Sequence, residues 1–202
     1  MTLPEAECFH QAVTALQQGK VIAYPTETVY GLGVDPFNEH AVNHLLQLKQ
    51  RDAQKGLILL IPDLSWVNRL ALVSPISKRL MEHFWPGPLT LVLPATPQLP
   101  PWLLTQHPTV ALRLSPSPVV QHLLSLWPYP LVSTSANLSG QQQLSSPEEI
   151  QHLWQNQIAA IIPGQAGNTP STVVQVGEHD KPSLLRTGVI PFAMIEHFIV
   201  HC

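Results

Sequence analysis

Phe9, Ala12, Val13 and Leu16 share one face of a helix, and Gly19 stands where that helix would stop. Ahead of them, Thr2-Leu3-Pro4-Glu5 has the form of a capping box with proline just inside the helix start. Residues 21–24 make a short β-type run that Pro25 breaks. Val42, Leu45 and Leu46 mark a second amphipathic helix leading into Lys49. The run 57–61 is wholly apolar and reads as a buried strand, and two short helices fill 63–84. Runs 89–93 and 110–114 read as strands around a proline-rich excursion. Ser117-Pro118 opens a helix with Val119, Leu123 and Leu126 on one face. Residues 131–133 form a strand that runs into a polar stretch. Ser146-Pro147-Glu148-Glu149 starts another helix. Residues 159–162, 172–176 and 183–185 are strand candidates, and 191–200 is helical.

Helices and strands interleave, with no internal repeat and no linker. The pattern predicts one α/β domain over residues 1–202. Strands 172–176 and 183–186 are separated by too little chain for a helical crossover. The twisted sheet, flanked by helices, is therefore expected to be mixed rather than all-parallel.

Composition narrows the partners. The chain has 202 residues, with 10 Lys+Arg against 13 Asp+Glu and a net charge of −3. Charged residues are 11% of the chain, against roughly 25% in ordinary soluble domains. Such a surface argues against strong nonspecific nucleic-acid binding. Cys8 and Cys202 lie at opposite ends and form neither a metal spacing nor a disulfide framework, which favours a reducing, cytoplasmic setting. The N-terminus has no basic, apolar leader pattern, and the apolar region 89–108 is too rich in proline for a membrane helix. Gly31-Leu32-Gly33 lacks the third glycine of a dinucleotide fingerprint, and no GxxxxGK[ST] phosphate loop exists. His40 and His44 are i, i+4, but no Glu follows His40; they read as surface histidines, and no metal site is predicted.

Three polar segments remain. Residues 24–33 follow a strand and hold Thr26, Glu27, Thr28, Gly31 and Gly33; they can present hydroxyls and amides to a small ligand or satisfy their own turn. Lys49, Arg51 and Lys55 crowd into seven positions just before a buried strand, as an anion site or as a solvated helix end. Ser133, Thr134, Ser135 and Asn137 lie at a strand's C-terminal end, where open α/β folds place ligands. Arg113 interrupts an apolar strand and so needs a partner or a ligand. Arg186 sits in a similar strand-end context, and Ser171-Thr172 opens the strand 172–176.

Together, PTETVYGLG (25–33), the KxR of Lys49 and Arg51, and the SxN of Ser135-Ala136-Asn137 resemble the YrdC/TsaC family, the short form of threonylcarbamoyl-AMP synthases. GPLTLVL (87–93), TVALR (109–113), STVV (171–174) and LLRTG (184–188) follow in the family's order. Asp52 stands where the family often has proline, beside Arg51 and Lys55. The chain is expected to lack the long form's extra C-terminal domain.

The resemblance implies an α/β fold with a deep positive cleft and a nucleotidyl-transfer reaction. L-threonine, bicarbonate or CO2, and ATP give threonylcarbamoyl-adenylate and pyrophosphate, for N6-threonylcarbamoyl modification of adenosine 37 in tRNA. A tRNA threonylcarbamoyl transferase complex would receive the product. On this basis Lys49, Arg51 and Lys55 take the phosphates and the carbamate, with Mg²⁺ carried by the nucleotide. Ser133, Ser135 and Asn137 hold threonine and nucleotide in register. Arg113 takes the threonine carboxylate, and Thr26, Thr28, Ser171 and Thr172 its polar groups. Thr109 and Arg186 assist the nucleotide. Glu27 is a possible base or a structural member of its loop. The alternative is a structured-RNA-binding module using the same cleft. A carbamoyl transferase acting on carbamoyl phosphate would embed this domain in a longer chain with zinc-finger motifs, and none occur here.

Overall fold

The computed structural model describes residues 5–50, 56–104, 108–177 and 181–201. Thr2, Arg51, Asp52, Lys55 and Cys202 therefore lie outside the described residues. Helix α1 (Ala6–Gln17) begins after Glu5, which makes no side-chain cap bond. It ends as its sequence dictates. Gly19 adopts φ +69°, Lys20 N–H donates to the Ala15 carbonyl and Gly19 N–H to that of Leu16, which is a Schellman closure.

The strands are β1 (Ile22–Pro25), β2 (Tyr30–Gly33), β3 (Ile58–Leu60), β4 (Leu89–Pro94), β5 (Thr109–Arg113), β6 (Leu131–Ser135), β7 (Ala160–Ile161), β8 (Thr172–Val176) and β9 (Pro182–Arg186). The remaining helices are α2 (Glu39–Leu48), α3 (Val67–Leu70), α4 (Pro75–Phe84), α5 (Pro118–Leu126), α6 (Pro147–Trp154) and α7 (Phe192–His201). The strands form one sheet in the order β7-β1-β2-β6-β3-β5-β4-β8-β9. β7 on β1, β3 on β5 and β4 on β8 are parallel, and the other neighbours antiparallel, so the sheet is mixed as expected.

Alternation along the strands makes two cores. Val21, Ala23, Leu59, Ile61 and Val132 face the larger one, under α2, α4 and α6. Ile22, Tyr24, Leu60 and Leu131 face the smaller one, with Phe9 and Leu16 of α1 and Val119 and Leu123 of α5. Leu126 was expected on that face of α5, but it is exposed at the helix end. At α6 the predicted start is realised as a capping box: Ser146 accepts from Glu149 N–H while the Glu149 carboxylate accepts from Ser146 N–H.

Strand β2 corrects the sequence reading, which took residues 24–33 as a loop. Two glycines in four residues give β2 little strand propensity. It forms because β1 and β6 pair with it on both sides. Its glycines serve close approach, since neither has a positive φ. A Cβ on Gly33 would lie 2.8 Å from the Tyr24 ring and 2.8 Å from the Val132 carbonyl oxygen. Gly33→Ala is expected to destabilise the fold by about 1–3 kcal/mol through overpacking against backbone that cannot move aside. Urea denaturation reads this, and an unchanged midpoint would refute the tight packing.

Candidate active site

The cleft follows from one change along one sheet face. Register aligns Tyr24 with Gly31, Gly31 with Ser135, Ser133 with Ile58, and Leu60 with Arg113. These positions share the face that α1 and α5 cover further along, over Ile22, Leu60 and Leu131. Where those helices end, glycine, serine and arginine replace the large apolar side chains, and the face becomes a small open concavity. Thr26, Thr28, Arg113, Ser133, Ser135, Ser171 and Arg186 all line it. Seven of the residues singled out in the sequence, from five segments, thus line one cleft.

The β1–β2 turn closes on itself. Thr26 Oγ1 donates to the Val29 carbonyl (2.7 Å) and accepts from the Thr28 and Val29 amides (3.1 Å each). Its hydroxyl therefore shapes the turn. The Thr28 hydroxyl lies 2.8 Å from that of Thr26 and accepts from Arg113 Nη1 at 3.2 Å. Gly167 packs against this turn, and a Cβ there would stand 2.3 Å from the Glu27 carbonyl oxygen. The Tyr30 hydroxyl donates to the carbonyls of Ile162 and Gly164, pinning the segment that carries Gly167.

Arg113 is 4% exposed and has the partner its apolar strand demanded. Its Nη2 lies 3.5 Å from Glu27 Oε1, and Ser115 Oγ donates to Glu27 Oε2. Burial lowers the guanidinium's pKa, and the neighbouring Glu27 carboxylate opposes that shift. Glu27 therefore takes the structural role weighed for it and serves as counter-ion to a buried cation.

Ser171 and Arg186 form the opposite wall. Arg186 donates through Nε and Nη2 to the Ser171 carbonyl (3.1 and 3.0 Å) and through Nη2 to Ser171 Oγ (2.9 Å). Ser171 Oγ also meets Thr90 Oγ1 at 2.8 Å.

Four of the expected residues are not among those lining the cleft. Lys49 is 1% exposed and does not line the cleft. Its ammonium donates to the Ser135 carbonyl, to the Asn137 carbonyl (2.9 Å) and to Asn137 Oδ1 (3.4 Å). Lys49 thus ties the end of α2 to the serine loop. Asn137 also works within that loop: its Oδ1 accepts from Ser135 Oγ (2.6 Å), and its Nδ2 donates to the Leu138 and Gln141 carbonyls. The Thr172 hydroxyl donates to the Ile190 carbonyl and accepts from its amide, so it is spent on fixing the chain after β9. Thr109 lies at the far end of β5 from Arg113, opposite Pro94. Four strand steps of about 3.3 Å take it away from the cleft.

Arg51 and Lys55 are outside the described residues, but Gly56, next along the chain, lines the cleft. Gly56 and Gln143, which also lines it, went unnoticed in the sequence. Gln143 carries no sequence signal at all, since it is a polar residue in an irregular segment. Among the described residues no group of three His, Cys, Asp or Glu is placed to hold a metal, and no helix is long and apolar enough to cross a membrane.

The Sua5/YciO/YrdC family model, described as "Telomere recombination", matches residues 14–188. A protein of Vibrio vulnificus (strain YJ016) named threonylcarbamoyl-AMP synthase is 43% identical over 179 residues, which cover 87% of this chain and 91% of that protein. The structure of P. abyssi Sua5 complexed with L-threonine superposes with a TM-score of 0.88 at 34% identity; the match covers 95% of this chain and 57% of that one. The chain thus spans little more than half the length of Sua5. The structure of E. coli YciO superposes with a TM-score of 0.85 at 32% identity, covering 93% of this chain and 92% of that one. With its fold, its cleft-lining segments and most of its length matched in this way, the chain belongs to the Sua5/YciO/YrdC family.

Proposed function

We propose that this chain is a threonylcarbamoyl-AMP synthase, converting L-threonine, bicarbonate or CO2, and ATP into threonylcarbamoyl-adenylate and pyrophosphate. The observation that carries the reading is the convergence of Thr28, Ser133, Ser135, Arg113 and Arg186 on one cleft, in a chain whose curated relatives are named for that activity.

Threonine's amine adds to CO2, loses a proton and becomes a carbamate. A carbamate oxygen then attacks the α-phosphorus of ATP as the bond to pyrophosphate breaks. Both partners are anions, and unit charges 4 Å apart repel by about 4 kcal/mol at an effective dielectric near 20. The site must therefore supply cations and alignment. In this reading Arg113 takes the threonine carboxylate through the guanidinium edge that Glu27 and Thr28 leave open. Thr28 and Ser133 hold threonine's other polar groups. Ser135, kept in place by Lys49 and Asn137, aligns the nucleotide beside Arg186 and Ser171. Arg51 and Lys55, leading into Gly56, are assigned to the phosphates. The cleft is lined by hydroxyls and guanidinium groups, and Glu27 is engaged by Arg113 and Ser115. Mg²⁺ would accordingly be carried by the nucleotide rather than by a carboxylate cage. The adenylate would pass to a tRNA threonylcarbamoyl transferase complex in the cytoplasm.

Purified protein given ATP, bicarbonate and threonine is expected to release pyrophosphate only when threonine is present. Pyrophosphate release indifferent to threonine would refute the assignment. A steeply salt-dependent RNA affinity without turnover would point instead to an RNA-binding module.

A further inference from the structure

Three polar atoms with no hydrogen-bond partner among the described residues fall in one place behind the cleft: the Tyr24 hydroxyl, Arg113 Nε and Glu27 Oε1. Tyr24 is fully buried. Its ring lies in a slot made by glycines, with Cε1 2.8 Å from where a Gly33 Cβ would stand and Cζ 3.3 Å from that of Gly31. Ser133 Oγ is also 3.3 Å from the Gly31 position. The end of the tyrosine ring that bears the hydroxyl and a hydroxyl of the cleft wall therefore crowd the same point.

The slot explains the ring and leaves the hydroxyl unexplained. Phenylalanine would fill the same space. A buried hydroxyl without a well-made hydrogen bond costs about 1–3 kcal/mol, and such groups in native structures call for a reason; the hydroxyl within reach of this one is that of Ser133. Burial raises the Tyr24 pKa far above its ordinary value; Ser133 and Arg113 only partly oppose this, and Glu27 adds to it. The group stays a neutral O–H, able both to donate and to accept.

We propose that Tyr24 is a positioning residue whose hydroxyl fixes Ser133 and Arg113 from behind when threonine occupies the cleft. Arg113 is steadied on one side by Glu27 and Thr28. A carboxylate arriving at its open edge draws the guanidinium toward the cleft, and Ser133 turns toward the same ligand. The Tyr24 hydroxyl is the buried polar group left to bond with whichever of them shifts. Tyr24 touches no substrate and acts only through these two side chains.

The test is Tyr24→Phe, and it rests on the synthase reading. A purely structural hydroxyl would change stability and leave kinetics alone. The expected result is the reverse: a melting temperature equal to or above that of the wild type, with kcat/KM for threonine reduced about tenfold or more and KM for ATP unchanged. Threonine kinetics matching the wild type would overturn the proposal. A marked fall in melting temperature would overturn it equally, because the hydroxyl would then be spent on the fold. A wild type inactive with threonine removes the synthase reading and this inference together; an active wild type matched by Tyr24→Phe removes this inference alone.

Discussion

Replacing Arg113 with alanine is expected to abolish threonine-dependent pyrophosphate release and to cost the fold about 3–5 kcal/mol, the range for breaking a buried ion pair from one side. Both effects have one origin. The guanidinium is almost fully buried, donates to Thr28 and stands beside a largely buried Glu27. Without it, Glu27 keeps, among the described residues, only the Ser115 hydroxyl as a partner. Arg113→Lys separates the two effects. A lysine keeps a positive charge near Glu27 but not the planar fork that can serve Glu27, Thr28 and a carboxylate together. The lysine variant is expected to recover most of the stability and little of the activity. Thermal denaturation beside a pyrophosphate assay would show this, and full activity in Arg113→Lys would mean that the fork is not used on substrate.

Lys49→Met is expected to lower stability by about 2–3 kcal/mol, the worth of hydrogen bonds to a charged donor, and to reduce turnover with it. Methionine fills a similar length but leaves the carbonyls of Ser135 and Asn137 without the ammonium that gathers them. Ser135 lines the cleft, so a loosened loop misplaces it. Denaturation midpoint and turnover should fall together. Wild-type stability with lost activity would mean that the ammonium belongs to a ligand rather than to the loop.

These two residues also mark how much of the molecule could be read from its sequence. Arg113 was conspicuous because a charge inside an apolar strand has no bland explanation. Its partner was not, because Glu27 lies 86 residues earlier and only the fold joins them. Lys49 stood out in the sequence, but its bonds to the serine loop did not. Sequence shows a cation near a strand and cannot show that two carbonyls turn toward it from a distant loop. Thr109 failed for a similar reason, since a strand's sequence does not say which of its ends opens on the cleft. Strand β2 was missed because its glycines, poor for a strand alone, exist for the tyrosine ring beside them.

The strand order has a consequence for folding. β1 pairs with β7, β2 with β6, and β4 with β8, and the Tyr30 hydroxyl reaches a carbonyl 132 residues away. No local segment contains a rudimentary version of the cleft, whose walls close only after nearly the whole chain has been threaded into one sheet. Topologies dominated by such distant pairings fold slowly. Ligand affinity is then a property of the completed molecule alone. Each tenfold excess of ligand over its Kd would add about 1.4 kcal/mol to global stability, a gain shared by every strand whose loss requires global unfolding.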